Sequence, residues 1–175
     1  MRLLIIRHGD PDYEKDSLTK KGWREAELLS ERIAKEKVDA FYVSPLGRAK
    51  DTASLTLKKM NRTAVECPWL REFAPLIHRP DQEEEQIAWD WLPQDWTKVE
   101  EFFRRELWYT QEAMREGTSP TTGKRGVVEE YRWVVDNLDK LLAEHGYVRD
   151  GEYYRVEQIV TQLYFSVILV WNVCC

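Results

Sequence analysis

Short apolar runs alternate with amphipathic segments through residues 3–67, and this alternation constrains the fold more than any other feature of the chain. Leu3–Ile6 is a continuous apolar run of the kind found in a strand buried on both faces. It ends in the polar turn Arg7-His8-Gly9-Asp10-Pro11-Asp12. Residues 18–37 then carry Trp23, Ala26, Leu29 and Ile33 at helical spacing, behind Thr19 as an N-cap. Asp39–Val43 predicts a second strand, and Leu46–Met60 a second helix with Ala49, Ala53, Leu57 and Met60 on one face. Thr63–Cys67 predicts a third strand. The order β-α-β-α-β predicts an α/β fold with a largely parallel sheet and helices on both faces. Ligands bind such sheets at the carboxyl ends of strands. The turns after Ile6 and Val43 are therefore the candidate functional positions.

The middle of the chain has a different character. Glu83-Glu84-Glu85 reads as a solvated acidic surface, and Trp89, Trp91 and Trp96 follow it as packing residues. Residues 99–116 and 127–144 read as two long helices, the second with Val128, Tyr131, Val135, Leu138 and Leu142 on one face. Residues 117–126 form a Thr/Ser/Pro/Gly loop between them, and Tyr147–Val156 predicts a hairpin turning at Asp150-Gly151. At 175 residues the chain suits one domain, with an α/β core over 1–75, a helical cap inserted over 81–145, and a hairpin and final strand over 146–175.

Composition narrows the function. With 43% hydrophobic residues a sizeable core is expected. A net charge of −5 speaks against a general nucleic-acid binder while leaving room for a local basic pocket. No apolar stretch suits a signal peptide or a spanning helix, so no membrane partner is expected. Cys67, Cys174 and Cys175 make neither a disulfide framework nor a zinc-ligand spacing, which predicts a reducing, cytoplasmic setting and no metal.

The chemistry-bearing residues gather at the two candidate turns. A His at the end of a strand can aim a ring nitrogen into a pocket, Arg7 adds a cation with fork geometry for phosphate oxygens, and Gly9 permits close backbone approach. Arg48 lies in the first turn of a helix, where free amides and the helix dipole already favour anions. Each signal alone is compatible with a strand end and a solvated helix start.

Taken together, Arg7-His8-Gly9, Leu18-Thr19-x-x-Gly22 through Ala26, Ser44-Pro45-x-x-Arg48-Ala49-x-x-Thr52-Ala53 and Leu70-Arg71-Glu72 resemble the histidine phosphatase, or phosphoglycerate mutase-like, superfamily in order and spacing. The resemblance implies that His8 is the nucleophile and that Arg7 and Arg48 hold the phosphoryl oxygens. Gly9 belongs to the same substrate-binding turn, and Glu72 protonates the leaving oxygen. It implies a phosphomonoester, such as a phosphorylated small molecule, as the partner, with neither cofactor nor metal. Oligomeric state stays open. Many family members carry an Asn six residues after the nucleophile, where this chain has Glu14.

The family also needs a second His at the end of a late core strand. The remaining histidines are His78, in a loop context, and His145-Gly146, which reads as a helix C-terminus. Codon degeneracy offers an explanation. Residues 158–175 can be back-translated so that one restored A within the first two codons gives Gln-Asn-Ser-Asp-Thr-Ile-Val-Phe-Phe-Cys-His-Phe-Gly-Val-Glu-Cys-Leu-Leu. That is an apolar strand, the missing motif and a helix start, with the His codon straddling the present Val167 and Ile168. Cys174 and Cys175 then belong to the shifted frame. The apolar tail Tyr164–Val173 is expected to fill part of the missing strand's place. Three functional readings follow: an impaired phosphomonoesterase, a phosphate-binding remnant without turnover, and a protein-interaction module. A mutase-type phosphotransferase is the lesser enzymatic alternative.

Overall fold

The computed structural model describes residues 2–78, 83–88, 91–120, 122–156 and 166–171, the last segment as backbone. Trp89, residues 158–165, Cys174 and Cys175 lie outside the described residues. The elements run β1 (Arg2–Arg7), β2 (Pro11–Asp12), β3 (Ser17–Leu18), α1 (Lys20–Ile33), β4 (Ala40–Val43), α2 (Gly47–Met60) and β5 (Val65–Glu66). They continue as β6 (Leu76–His78), β7 (Glu85–Ile87), α3 (Pro93–Thr97), α4 (Glu100–Phe103), α5 (Gly126–Glu144), β8 (Tyr147–Asp150), β9 (Tyr153–Val156) and β10 (Ser166–Trp171). Two units divide them, Met1–Glu72 with Val156–Cys175, and Phe73–Arg155.

The first unit is an α/β layer. Its sheet has the order β1-β10-β4-β5, and every pairing in it is parallel. Leu4 and Ile6 of β1 join Phe41 and Val43 of β4, Leu29 and Ile33 of α1, and Ala49, Ala53 and Leu57 of α2 in one core. Burial on both faces was expected of β1, but Ile5, which points the other way, is 56% exposed. Strand alternation sends only Leu4 and Ile6 toward the helices.

Thr19 caps α1 as its sequence predicts, accepting the Gly22 amide at 3.1 Å. The helix ends four residues earlier than its periodicity suggests, because the Lys35 and Glu36 amides bond only three residues back and tighten the last turn. Its buried face is Gly22, Ala26, Ser30 and Ile33, and Trp23 is displaced to the surface at 38% exposure. These small side chains meet the small face of α2, Ala49, Thr52, Ala53 and Thr56, so the two helices pack closely and leave no place for an indole.

The second unit is built on Ile77, Ala88, Trp91, Met114, Val127 and Val128, with Trp96, Phe102 and Trp108 packed against them. The Trp91 and Trp96 rings lie 4.7 Å apart, which makes them packing residues as expected. The long helix predicted over 99–116 is instead α4 and two single 3₁₀ turns, Trp108–Thr110 and Glu112–Met114. Phe102 and Trp108 both reach the same cluster, yet residues six apart on one helix point about 120° apart. Breaking the helix lets both rings bury.

The 19-residue helix α5 forms as predicted, with Val128 and Leu142 of the expected face buried, but Tyr131 is 50% exposed and Val127, Glu130 and Leu141 are buried as well. The Glu130 carboxylate accepts the Thr122 hydroxyl at 2.6 Å, which anchors the loop before the helix. The hairpin β8-β9 forms as the Asp150-Gly151 signal predicts, and Arg149 ties it to Asp139 of α5 at 2.5 Å. His145 is the C-cap of α5. His78 ends a strand, β6, where a loop was expected, because β6 finds an antiparallel partner in β7. Among the described residues no helix is long and apolar enough to cross a membrane.

Candidate active site

The turn after β1 is shaped by close backbone crossings. A Cβ on Gly9 would lie 2.9 Å from the Gly22 carbonyl oxygen, and one on Gly22 would lie 2.2 Å from that of Asp10. Only glycines let the turn lie against the start of α1 in this way. The Gly9 amide donates to the Thr52 hydroxyl at 2.9 Å, and that hydroxyl donates to the Arg48 carbonyl at 2.7 Å. Thr52 thereby joins the turn after β1 to the first turn of α2.

His8 is buried in this turn, with Nδ1 2.7 Å from the Gly9 carbonyl oxygen. A carbonyl only accepts, so Nδ1 carries the proton, and in the neutral ring Nε2 keeps its lone pair. Arg7, His8, Gly9, Glu25 and Thr52 line one small cavity of 200 Å³ with Ile6, Ala26 and Leu29. Glu25 is itself held by the Asp10 amide at 2.8 Å. Arg7 is exposed at the rim.

Arg48 and Glu72 do not line that cavity; they meet each other elsewhere in the same unit. The buried Arg48 guanidinium donates from Nη2 to Glu72 Oε2 at 3.1 Å and from Nη1 to Asp16 Oδ1 at 2.6 Å. The Gly47 amide donates to Asp16 Oδ2 at 2.7 Å, and the Arg48 amide reaches Oδ1 at 3.5 Å. The Tyr13 ring lies 5.3 Å from the same guanidinium. Burial pushes the Asp16 carboxyl up, but the Gly47 amide and the Arg48 guanidinium outweigh it and hold the group below its ordinary value. One cation is thus shared by two carboxylates.

Of the residues singled out from sequence, Arg7, His8 and Gly9 come together, Arg48 and Glu72 come together, and Thr52 links the two sets. Glu14 is exposed. His78 Nε2 sits 2.8 Å from the Glu83 carbonyl oxygen, and His145 caps α5; both belong to the other unit. The late core strand is β10, and it ends at Trp171, level with Arg7. Val167 and Ile168, where the restored frame puts its His codon, pair with Leu3 and Leu4 well inside the sheet. Sequence reasoning missed Asp16, Glu25 and Tyr13. For Asp16 a faint signal existed in Gly47, a glycine in the first turn of a helix, which marks close approach by another segment. Among the described residues no three His, Cys, Asp or Glu side chains gather as metal ligands.

Arg48→Lys is expected to weaken orthovanadate binding about tenfold, because an ammonium cannot bridge two carboxylates and still present a fork to an oxyanion. Titration of both proteins with vanadate checks this. An unchanged affinity would place Arg48 outside the anion site.

The family model of the histidine phosphatase superfamily (branch 1) matches residues 3–119, more than half of the chain. The mitochondrial serine/threonine-protein phosphatase Pgam5 of Drosophila melanogaster is 29% identical over 119 residues, which cover 59% of this chain and 39% of that protein. The chain thus matches about two fifths of the length of this curated relative. Among solved structures, the mycobacterial glucosyl-3-phosphoglycerate phosphatase superposes with a TM-score of 0.54 at 19% identity, covering 98% of this chain and 73% of its own. The α-ribazole phosphatase of Shigella flexneri gives 0.52 at 20% identity, covering 98% and 74%. At these identities the structural likeness is one of fold.

Proposed function

This chain belongs to the histidine phosphatase superfamily, and we propose that its site cleaves a phosphomonoester through a phosphohistidine on His8. The observation that carries the reading is the bond from His8 Nδ1 to the Gly9 carbonyl, which leaves Nε2 as a fixed lone pair at a strand end beside Arg7. In the first step Nε2 attacks phosphorus, an N–P bond forms and the ester O–P bond breaks. Glu72 gives its proton to the departing oxygen. In the second step Glu72 takes a proton from water, the water oxygen attacks phosphorus, and the N–P bond breaks to return His8 and release phosphate. Arg7 and Arg48 oppose the charge on the phosphoryl oxygens in both steps. The cavity, 200 Å³, is below the roughly 300–1,000 Å³ that hold drug-sized ligands, so it suits the transferred group rather than a whole substrate. The cysteine pattern supports a cytoplasmic setting for this chemistry.

A second reading rests on Arg48. Its guanidinium is already engaged by Asp16 and Glu72, which favours a protein that binds phosphate weakly and turns it over slowly or not at all. Rapid quenching after mixing with an aryl phosphate separates the two. Turnover through His8 leaves an acid-labile, base-stable phosphate on the peptide containing Arg7-His8-Gly9. A quenched chain with no such label, under conditions where phosphate binds, selects the binding protein.

A further inference from the structure

We infer that Asp16 is a built-in competitor for the phosphate cradle, an internal carboxylate that substrate must displace from Arg48. This rests on the phosphatase reading above and names what governs affinity at that site. The contacts of Asp16 are those a bound oxyanion would make. One carboxylate oxygen accepts the Gly47 amide at 2.7 Å, and the other accepts Arg48 Nη1 at 2.6 Å. Amides of a first helical turn together with a guanidinium fork are the groups that hold phosphoryl oxygens. Asp16 is delivered to them by a backbone in the left-handed region, at φ 46°, in the segment between β2 and β3. Its main chain also comes so close to α2 that a Cβ on Gly47 would lie 2.0 Å from the Asp16 carbonyl oxygen.

Charge decides the consequence. The Asp16 carboxylate already answers the Arg48 charge before any ligand arrives. A phosphate dianion is disfavoured there until a carboxylate leaves or is neutralised. Glu72 is the more enclosed of the two, with its side chain 24% exposed against 45% for Asp16. Asp16 can therefore swing to water at little cost, and it is the partner that yields. Dianions with a full set of acceptor oxygens displace it more readily than monoanionic carboxylates do.

The test titrates inorganic phosphate into the native chain, Asp16→Asn and Asp16→Glu. Both variants disturb the local geometry, but only asparagine removes the charge. Asparagine is expected to tighten phosphate binding about five- to tenfold, and glutamate to leave it unchanged or weaker. In the native chain, the Gly47 and Arg48 amide resonances should move with phosphate as Asp16 leaves, a readout that does not depend on either variant folding. Phosphate binding that is equal or weaker in Asp16→Asn, or Gly47 and Arg48 amides that stay unmoved at saturation, overturns the role of Asp16 and leaves the phosphatase reading standing. A native chain and variants that all fail to bind phosphate overturn both.

Discussion

His8→Ala should lower turnover of a generic aryl phosphate by about 10³-fold or more, to the buffer background, while phosphate binding changes by no more than about threefold. The split follows from the placement of the groups. In the proposed mechanism His8 contributes the lone pair that forms the covalent bond, whereas Arg7, which lines the same cavity, and Arg48 supply the cationic attraction. Removing a buried imidazole with one hydrogen bond costs about 1 kcal/mol of stability, so urea unfolding separates loss of chemistry from loss of fold. A clean His8→Ala preparation that keeps its turnover removes His8 from the mechanism. One that loses turnover and phosphate affinity together makes His8 a binding group instead.

Restoring the reading frame after residue 158 should raise turnover by about 10²–10³-fold, the usual worth of one preorganised donor at a developing oxyanion. The register of β10 gives this expectation its structural content. The slot between β1 and β4 takes six residues, and Ser166–Trp171 fills it, with Trp171 level with Arg7. A histidine donor facing His8 would have to stand at that upper end of the slot. In the restored frame the apolar strand stops at its histidine, so the strand slides by several residues and carries the imidazole to the level of Arg7. The same change removes an apolar tail and adds a helix start, so the restored protein should also aggregate less. Matched preparations of the two chains, assayed with one aryl phosphate, decide the matter. Equal rates would mean that no catalytic group is missing, and would direct attention to His78 and His145.

The parts of the fold written in local pattern were legible in the sequence. Leu3–Ile6, Thr19 and the Asp150-Gly151 turn each announce their element through a run, a cap or a turn residue whose physics acts within a few positions. The family motifs also brought Arg48 and Glu72 to attention, and their ion pair places them in one cluster. What was not legible depended on partners far away in sequence. Trp23 has perfect helical spacing, but the small face of α2 selects Gly22, Ala26 and Ser30 for burial. The break in 99–116 is imposed by two aromatic rings that need one cluster, against a sequence that contains no helix breaker there. Asp16 is 32 positions from the arginine it binds, and Gly47 signals only that some segment comes close there, not which one.

The sheet order β1-β10-β4-β5 places the latest strand between the two earliest long ones, so β1 and β4 never bond to each other. On the ribosome, α1 and α2 can form and meet while residues 166–171 are still unmade, but the sheet beneath them has a gap one strand wide. Two strand edges wait there, each with its ladder groups unsatisfied, through the synthesis of the whole of the other unit. Closing the gap joins residues more than 120 positions apart, and contacts of such long range make folding slow. The first unit is therefore most vulnerable to capture by chaperones, proteases or neighbouring nascent chains during this interval, and the composition of the last strand governs how soon the interval ends.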